Sequence, residues 1–307
     1  MAYIQWLHRG TAPRAAVGGK GASLAALIGA GFSVPAGFAV TVDGYRRFAE
    51  AAGLAAFDKD LGPGDAAAAI GARIASTPLP DDLRREIGAA YDELTAMAGL
   101  ACAVRSSALS EDGAAAASAG LYESYLNVIG VADVVAAVRL CYASLWAERA
   151  LLYRAARRQS EEDAMAVVVM GLVPCLAAGV AFTAHPVTGA RDQVLINASW
   201  GLGEAIVSGR VTPDSFLVEK GSFALIEREI YTKTMAVTPH PDGGGTLEIE
   251  LSAAKAAAPS LSDDEARAVA RVAAAVEAHY GSPQDVEWGL AGGQIHVLQA
   301  RPITTLT

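Results

Sequence analysis

Four stretches carry residue types suited to handling phosphate and a hard cation. Gly18-Gly19-Lys20-Gly21 can bring backbone amides close to an anion while a lysine neutralises it. Arg14 stands where a Walker-type first glycine would fall, Gly21 stands where Ser or Thr would follow the lysine, and Leu24 breaks the dinucleotide pattern. A plain glycine turn with an exposed lysine is the alternative. Val104-Arg105-Ser106-Ser107 sets a guanidinium at the end of an apolar strand. There it can grip phosphate through two parallel hydrogen bonds or pair with a surface carboxylate. Trp200-Gly201-Leu202-Gly203-Glu204, with Thr212-Pro213-Asp214 downstream, suits either a loop folded over a ligand or a tight structural turn.

The fourth stretch is a terminal hairpin, expected over 285–290 and 294–300 around Ala291-Gly292-Gly293. Alternation puts Asp285, Glu287 and Gly289 on one face and Val286, Trp288 and Leu290 on the other. A three-residue turn sets Asp285 opposite Gln299 and Glu287 opposite Val297, with Glu287 and Gln299 diagonal neighbours. Arg301 shares their face. One carboxylate, one amide oxygen and one guanidinium then converge, a set that suits magnesium plus polyphosphate, because magnesium takes hard oxygens and shares those of phosphate. A solvated hairpin face is the alternative.

Other chemistries find less support. The histidines His8, His185, His240, His279 and His296 lack metal spacing, and His185 before Pro186 reads as a turn residue. Cys102, Cys141 and Cys175 show no paired spacing, which points to small buried hydrophobes in a reducing compartment. Nothing resembles a Ser-His-Asp or paired-carboxylate hydrolase.

These residues need a scaffold, and the chain has material for one. Its 307 residues suggest two lobes, and 52% hydrophobic against 19% charged residues supports a sizeable core. A net charge of −9 disfavours nucleic acid and anionic lipid as partners. No signal-peptide pattern opens the chain, so a cytoplasmic location is expected. The uncharged run 164–184 has transmembrane length, but Gly171, Pro174 and Gly179 interrupt it, and two buried strands joined around 172–178 explain it better.

Helices are expected at 22–30, 43–53, 64–76, 81–98 and 131–158, with strands at 38–42, 101–106, 122–128, 193–198, 215–220 and 224–231. Ser262-Asp263-Asp264-Glu265 reads as a capping box opening a helix over 263–280. Asp242-Gly243-Gly244-Gly245 reads as a turn. The acidic patch Glu161-Glu162-Asp163 suggests an N-terminal lobe over 1–160 and a C-terminal lobe over 161–307.

Together the motifs resemble the N-terminal nucleotide-binding domain of the pyruvate phosphate dikinase and phosphoenolpyruvate synthase family, shared with rifampin phosphotransferases. The likeness runs in order through Gly18–Leu24, Val34-Pro35-Ala36-Gly37-Phe38, Val104–Ala108 with Glu111-Asp112, and Ala119-Gly120 with Tyr125-Leu126-Asn127-Val128. It continues through Gly179–Thr183 with Pro186–Gly189, Ala198–Glu204, Thr212-Pro213-Asp214, Asp285–Trp288 and Leu298–Thr304.

The resemblance implies an α/β (α+β), ATP-grasp-like fold of two lobes with ATP between them. It implies that Lys20 and Arg105 contact phosphates, Gly120 and Ser124 line the nucleotide site, Glu287 and Gln299 hold Mg2+, and Arg301 steadies the transferring phosphate. Met170 stands where the family usually has a glutamine after the strand framing the adenine, near Leu172. Ser124 replaces a more usual threonine, and Ala117-Ser118 a common Ser-Phe.

In longer relatives a swivelling domain with a phosphorylated histidine follows Arg-Pro-Ile-Thr, and a further domain binds the acceptor. This sequence stops three residues after Thr304 and holds no Gly-Gly…Ser-His motif, so the resemblance implies transfer to a histidine on a separate domain or subunit. Phenylphosphate synthase is a family precedent for such splitting. Two other readings are a nucleotide-binding regulatory module and a kinase or ATPase acting directly on a small molecule or water. Presence of Lys20, Arg105, Glu287, Gln299 and Arg301 together favours catalysis.

Overall fold

The computed structural model describes residues 2–54, 62–109, 121–157 and 164–304. In chain order the elements are β1 (Ile4–Trp6), α1 (Arg14–Gly29), β2 (Gly37–Val40), α2 (Val42–Ala51), α3 (Pro63–Ser76), α4 (Asp81–Ala98), β3 (Ala101–Ala108) and β4 (Ser124–Ile129). There follow α5 (Val131–Ser144), α6 (Glu148–Arg157), β5 (Met165–Gly171), β6 (Ala177–Phe182), β7 (Gln193–Trp200), α7 (Glu204–Val207), β8 (Asp214–Glu219) and β9 (Leu225–Glu229). The last are β10 (Met235–Pro239), β11 (Thr246–Glu250), α8 (Ala253–Ala257), α9 (Asp263–Tyr280), β12 (Gln284–Ala291) and β13 (Gln294–Pro302).

Two antiparallel sheets organise the chain. The first runs β1-β2-β5-β3-β4 and the second β13-β12-β6-β7-β8-β9, with β10 and β11 as a separate ribbon. This is the expected α/β, ATP-grasp-like architecture of two lobes.

Alternation decides which face of the first sheet meets what. Val167 and Val169 of β5 join the core under α2, α4 and α5, while Val168 and Met170 turn to the opposite face, against Val17 and Leu24 of α1. The second sheet buries Ile196, Phe216, Val286, Trp288 and Leu290 against Val269, Ala273 and Val276 of α9. Capping by Ser262 and Glu265 starts that helix as anticipated, and Gly281 in the left-handed region (φ 69°) ends it.

α1 couples the two sheets. Its Leu24 packs in the first, its Leu27 in the core of the second, and Ser23 Oγ donates to the Ala300 carbonyl of β13 at 2.9 Å.

Several expectations change. The two buried strands expected in 164–184 form but do not pair with each other: β5 lies at the centre of the first sheet and β6 within the second. A fully apolar run carries no alternation to say which sheet a strand joins. The chain passes between sheets after Gly171. The lobe boundary expected at 160/161 falls outside the described residues. The long helix expected over 131–158 is two, α5 and α6, broken at 145–147, where Arg154 donates to the freed Leu145 carbonyl at 2.7 Å. α1 begins earlier than Ala22 and contains a non-helical Gly18. Among the described residues no helix is long and apolar enough to cross a membrane.

Candidate functional site

The glycine turn owes its shape to Gly18, whose φ of +71° falls where side chains are strained. A Cβ there would lie 1.9 Å from the Ser107 carbonyl oxygen. Ser107 staples the turn to β3: its hydroxyl donates to the Val17 carbonyl at 2.7 Å and accepts from the Gly21 amide at 3.0 Å. Lys20 is only 7% exposed, so the exposed-lysine alternative fails.

Arg105 shares its strand face with Ser107 and reaches the terminal hairpin. Its Nη1 donates to the Leu298 carbonyl at 2.7 Å, and its Nη2 donates to Glu287 Oε2 at 2.7 Å and to Gln299 Oε1 at 2.8 Å. Its carboxylate partner thus lies at the junction of the two sheets, with side-chain exposures of 12% for Arg105 and 29% for Glu287.

The hairpin register differs from the expected one. Gly292 and Gly293, both with positive φ, form a two-residue turn, and Ala291 pairs with Gln294. A bulge at Leu298 then slips the pairing, setting Glu287 opposite Gln299 and Asp285 opposite Arg301. Turn and bulge each move the register by one residue. Two single steps preserve the face, so the convergence survives although the diagonal pairing does not. Arg301 donates from Nε at 2.8 Å and from Nη2 at 2.6 Å to one oxygen, Asp285 Oδ2.

Burial pushes the Glu287 carboxyl up, but the charge and hydrogen bond of Arg105, with Lys20 and Arg301, outweigh it and hold the group below the usual carboxylate range. Asp285 goes the other way: burial raises it, and Arg301 only partly offsets this. Its Oδ1 is buried without a hydrogen-bond partner.

Ser124 lies opposite Arg105 on edge strand β4 and shares its face. Met170 pairs with Ala103, two residues along β3 from Arg105, or roughly 7 Å. Leu172 and Leu126 pack beside Met170, then against Leu202 and Val237, making an apolar wall that includes ribbon strand β10. Gly120 lies outside the described residues, as do Ala117 and Ser118. Lys20, Arg105, Glu287, Gln299 and Arg301 thus form one cluster, with Ser124, Met170 and Leu172 along the same face of the first sheet.

Sequence reasoning missed Asp285 as partner of Arg301, Ser107 as staple and the Leu298 carbonyl as acceptor for Arg105. Strand parity with Arg105 and Glu287 was the available signal for Ser107 and Asp285. Asn127 was also missed as a clamp: its Nδ2 donates to the carbonyls of His240 at 2.9 Å and Gly245 at 2.8 Å, tying the ribbon to the first sheet.

Two motifs prove structural. Gly201 (φ +76°) packs its backbone against Val237, and Asp214 is fully buried against Lys233 and Ser260. His185 Nδ1 accepts from the Val187 and Thr188 amides, the turn role expected of it. Cys102 and Cys141 are buried in the first core, and all three cysteines are free. A groove of about 850 Å³ lies elsewhere, between α2, the α3–α4 turn and α5. Its Arg47 and Arg84 already pair with Asp82 and Asp81, so it lacks the convergent set found at the junction.

Among the described residues no three His, Cys, Asp or Glu side chains cluster to hold a metal. Magnesium needs no such cage, since it keeps waters and takes phosphate oxygens. Glu287 Oε2 and Gln299 Oε1 face a single point and the carboxylate is held ionised, so the pair fits that ion.

Residues 14–307 match the model of the pyruvate phosphate dikinase AMP/ATP-binding domain. A protein of Methanocaldococcus jannaschii named "Probable phosphoenolpyruvate synthase" is 38% identical, over 100% of this chain and 27% of its own. The phosphoenolpyruvate synthase of Aeropyrum pernix is 40% identical over 94% of this chain and 40% of its own. The prodigiosin synthesizing transferase PigC of Serratia marcescens is 41% identical over 94% of this chain and 32% of its own. The chain therefore spans less than half the length of these relatives. With the ordered motifs, the two-sheet fold and this match, the chain belongs to the pyruvate phosphate dikinase AMP/ATP-binding domain family.

Proposed function

We propose that the domain binds Mg-ATP at the junction of its two sheets and passes a phosphoryl or pyrophosphoryl group to a histidine on a separate domain or subunit. The observation that carries this reading is the meeting of Lys20, Arg105 and Arg301 around Glu287 and Gln299. Phosphoryl transfer asks little covalent chemistry of a protein; it asks for position and for cations where charge develops.

Lys20, held by the Ser107-stapled turn, and Arg105 bind phosphate oxygens. Arg301 steadies the group in flight, its guanidinium oriented by two hydrogen bonds to Asp285. Glu287 and Gln299 would hold a magnesium ion, whose charge would offset that of the phosphate. Ser124 and Gly120 line the nucleotide, and the wall of Met170, Leu172, Leu126 and Val237 excludes water around the base. Met170 offers that base no hydrogen bond. The attacking nitrogen comes from the partner histidine.

ATP labelled separately at its β and γ positions tests the proposal, with the chain alone and with a histidine-bearing partner. Label on the partner is expected. AMP or ADP formed without a partner would mark a stand-alone kinase or ATPase, and bound but unchanged ATP a regulatory module.

A further inference from the structure

We infer that Arg105 and a divalent cation compete for the same two oxygens, so that metal enters only when a polyphosphate draws the guanidinium away. This rests on the proposed Mg-ATP reading and adds to it an order of binding.

A single nitrogen, Arg105 Nη2, lies 2.7 Å from Glu287 Oε2 and 2.8 Å from Gln299 Oε1. Magnesium sits about 2.0–2.1 Å from its oxygen ligands. An ion bound to both oxygens would therefore occupy the place of that nitrogen. The seat is built for the guanidinium, because the bulge residue Leu298 turns its carbonyl to Nη1 at 2.7 Å. Three acceptors on one hairpin thus take one fork, and 12% side-chain exposure leaves the contact little screened by solvent.

Charge points the same way. Among the described residues, the cations Lys20, Arg105 and Arg301 meet the carboxylates Glu287 and Asp285 here. A dication brought to Glu287 meets the Arg105 charge at the same oxygen until an anion arrives. A triphosphate supplies that anion and gives Arg105 new bidentate partners. Nucleotide and metal then bind with positive coupling, and free metal alone binds poorly.

Manganese titration followed by electron paramagnetic resonance tests this without turnover. The native chain should bind Mn2+ alone weakly, whereas Arg105→Met should bind it at least about tenfold more tightly, the scale of an ordinary coupling between sites. Glu287→Gln added to Arg105→Met should abolish the gain. Arg105→Lys keeps the charge but not the fork; it should fall between the two and serves if the methionine variant fails to fold. Equal Mn2+ affinity in the native and Arg105 variants would overturn the competition while leaving the metal site standing. Failure of the variants to bind Mn2+ at all would overturn it too, since removing the competitor would not have freed the oxygens. In the same samples, an ATP analogue whose 31P signals stay unbroadened by Mn2+ on the native chain would sink the underlying site reading, and the competition with it.

Discussion

Two ion clusters of opposite character occur in this molecule. In the second lobe, Lys233 and Asp214 are fully buried. Every oxygen of Asp214 there has a donor: Lys233 and the Tyr231 amide for Oδ1, and the Ser260 amide and hydroxyl for Oδ2. Lys233 also donates to the Tyr231 carbonyl. At the junction of the sheets, by contrast, Glu287 keeps 29% side-chain exposure, and Asp285 Oδ1 is left unpartnered among the described residues. A saturated, dry pair pins a fold, here the base of the β10–β11 ribbon. An unsaturated, partly wet cluster has capacity left for a ligand.

The contrast can be broken at either end. The largest effect on stability is expected for Asp214→Leu, which strands a buried ammonium and should cost about 3–5 kcal/mol in urea denaturation. Adding Lys233→Met should recover much of that loss. Glu287→Gln should do the reverse, lowering phosphoryl transfer about 10²–10³-fold while changing stability by no more than about 1 kcal/mol. Similar losses of stability in both would erase the distinction between the clusters. Arg301→Ala should lower kcat more than nucleotide affinity, because it acts on developing charge. Equal small effects on both would count against that role.

The site's supports allow finer tests. Gly18→Ala places a Cβ 1.9 Å from a backbone oxygen and demands φ near +71°, so a loss of about 1–3 kcal/mol is expected, with weaker nucleotide binding as Lys20 shifts. The smallest effect is a pH dependence. Folding lowers the Glu287 carboxyl below its ordinary value of 4.5, so its contribution to stability is fully present above that value. The contribution disappears as pH falls through the folded-state pKa. The native chain should therefore lose its margin over Glu287→Gln across that acid window; a constant margin would mean that Glu287 gains nothing from its cations.

Much of the scaffold and the faces of the hairpin were legible in sequence. Val286, Trp288 and Leu290 alternate with Asp285, Glu287 and Gly289: the first three pack in the core under α9, while Glu287 and Asp285 turn to Arg105 and Arg301. The bulge at Leu298 was not legible, because nothing in Val-Leu-Gln marks an unpaired residue. Nor does spacing reveal that Arg105 crosses to a hairpin 182 residues away; only the family resemblance joined them. The β10–β11 ribbon went unassigned although its flanks, Met235–Pro239 and Thr246–Glu250, bracket the expected glycine turn. The two buried strands of the run 164–184 were legible, but not that they join different sheets, because valines and alanines satisfy any buried strand.

A crystal structure of the chain with Mg2+ and a non-hydrolysable ATP analogue tests the central claim most directly. The expected result is a triphosphate lying between Lys20, Arg105 and Arg301, with the metal on Glu287 and Gln299. A nucleotide bound away from the junction, with Arg105 still on Glu287 and Gln299, would contradict it.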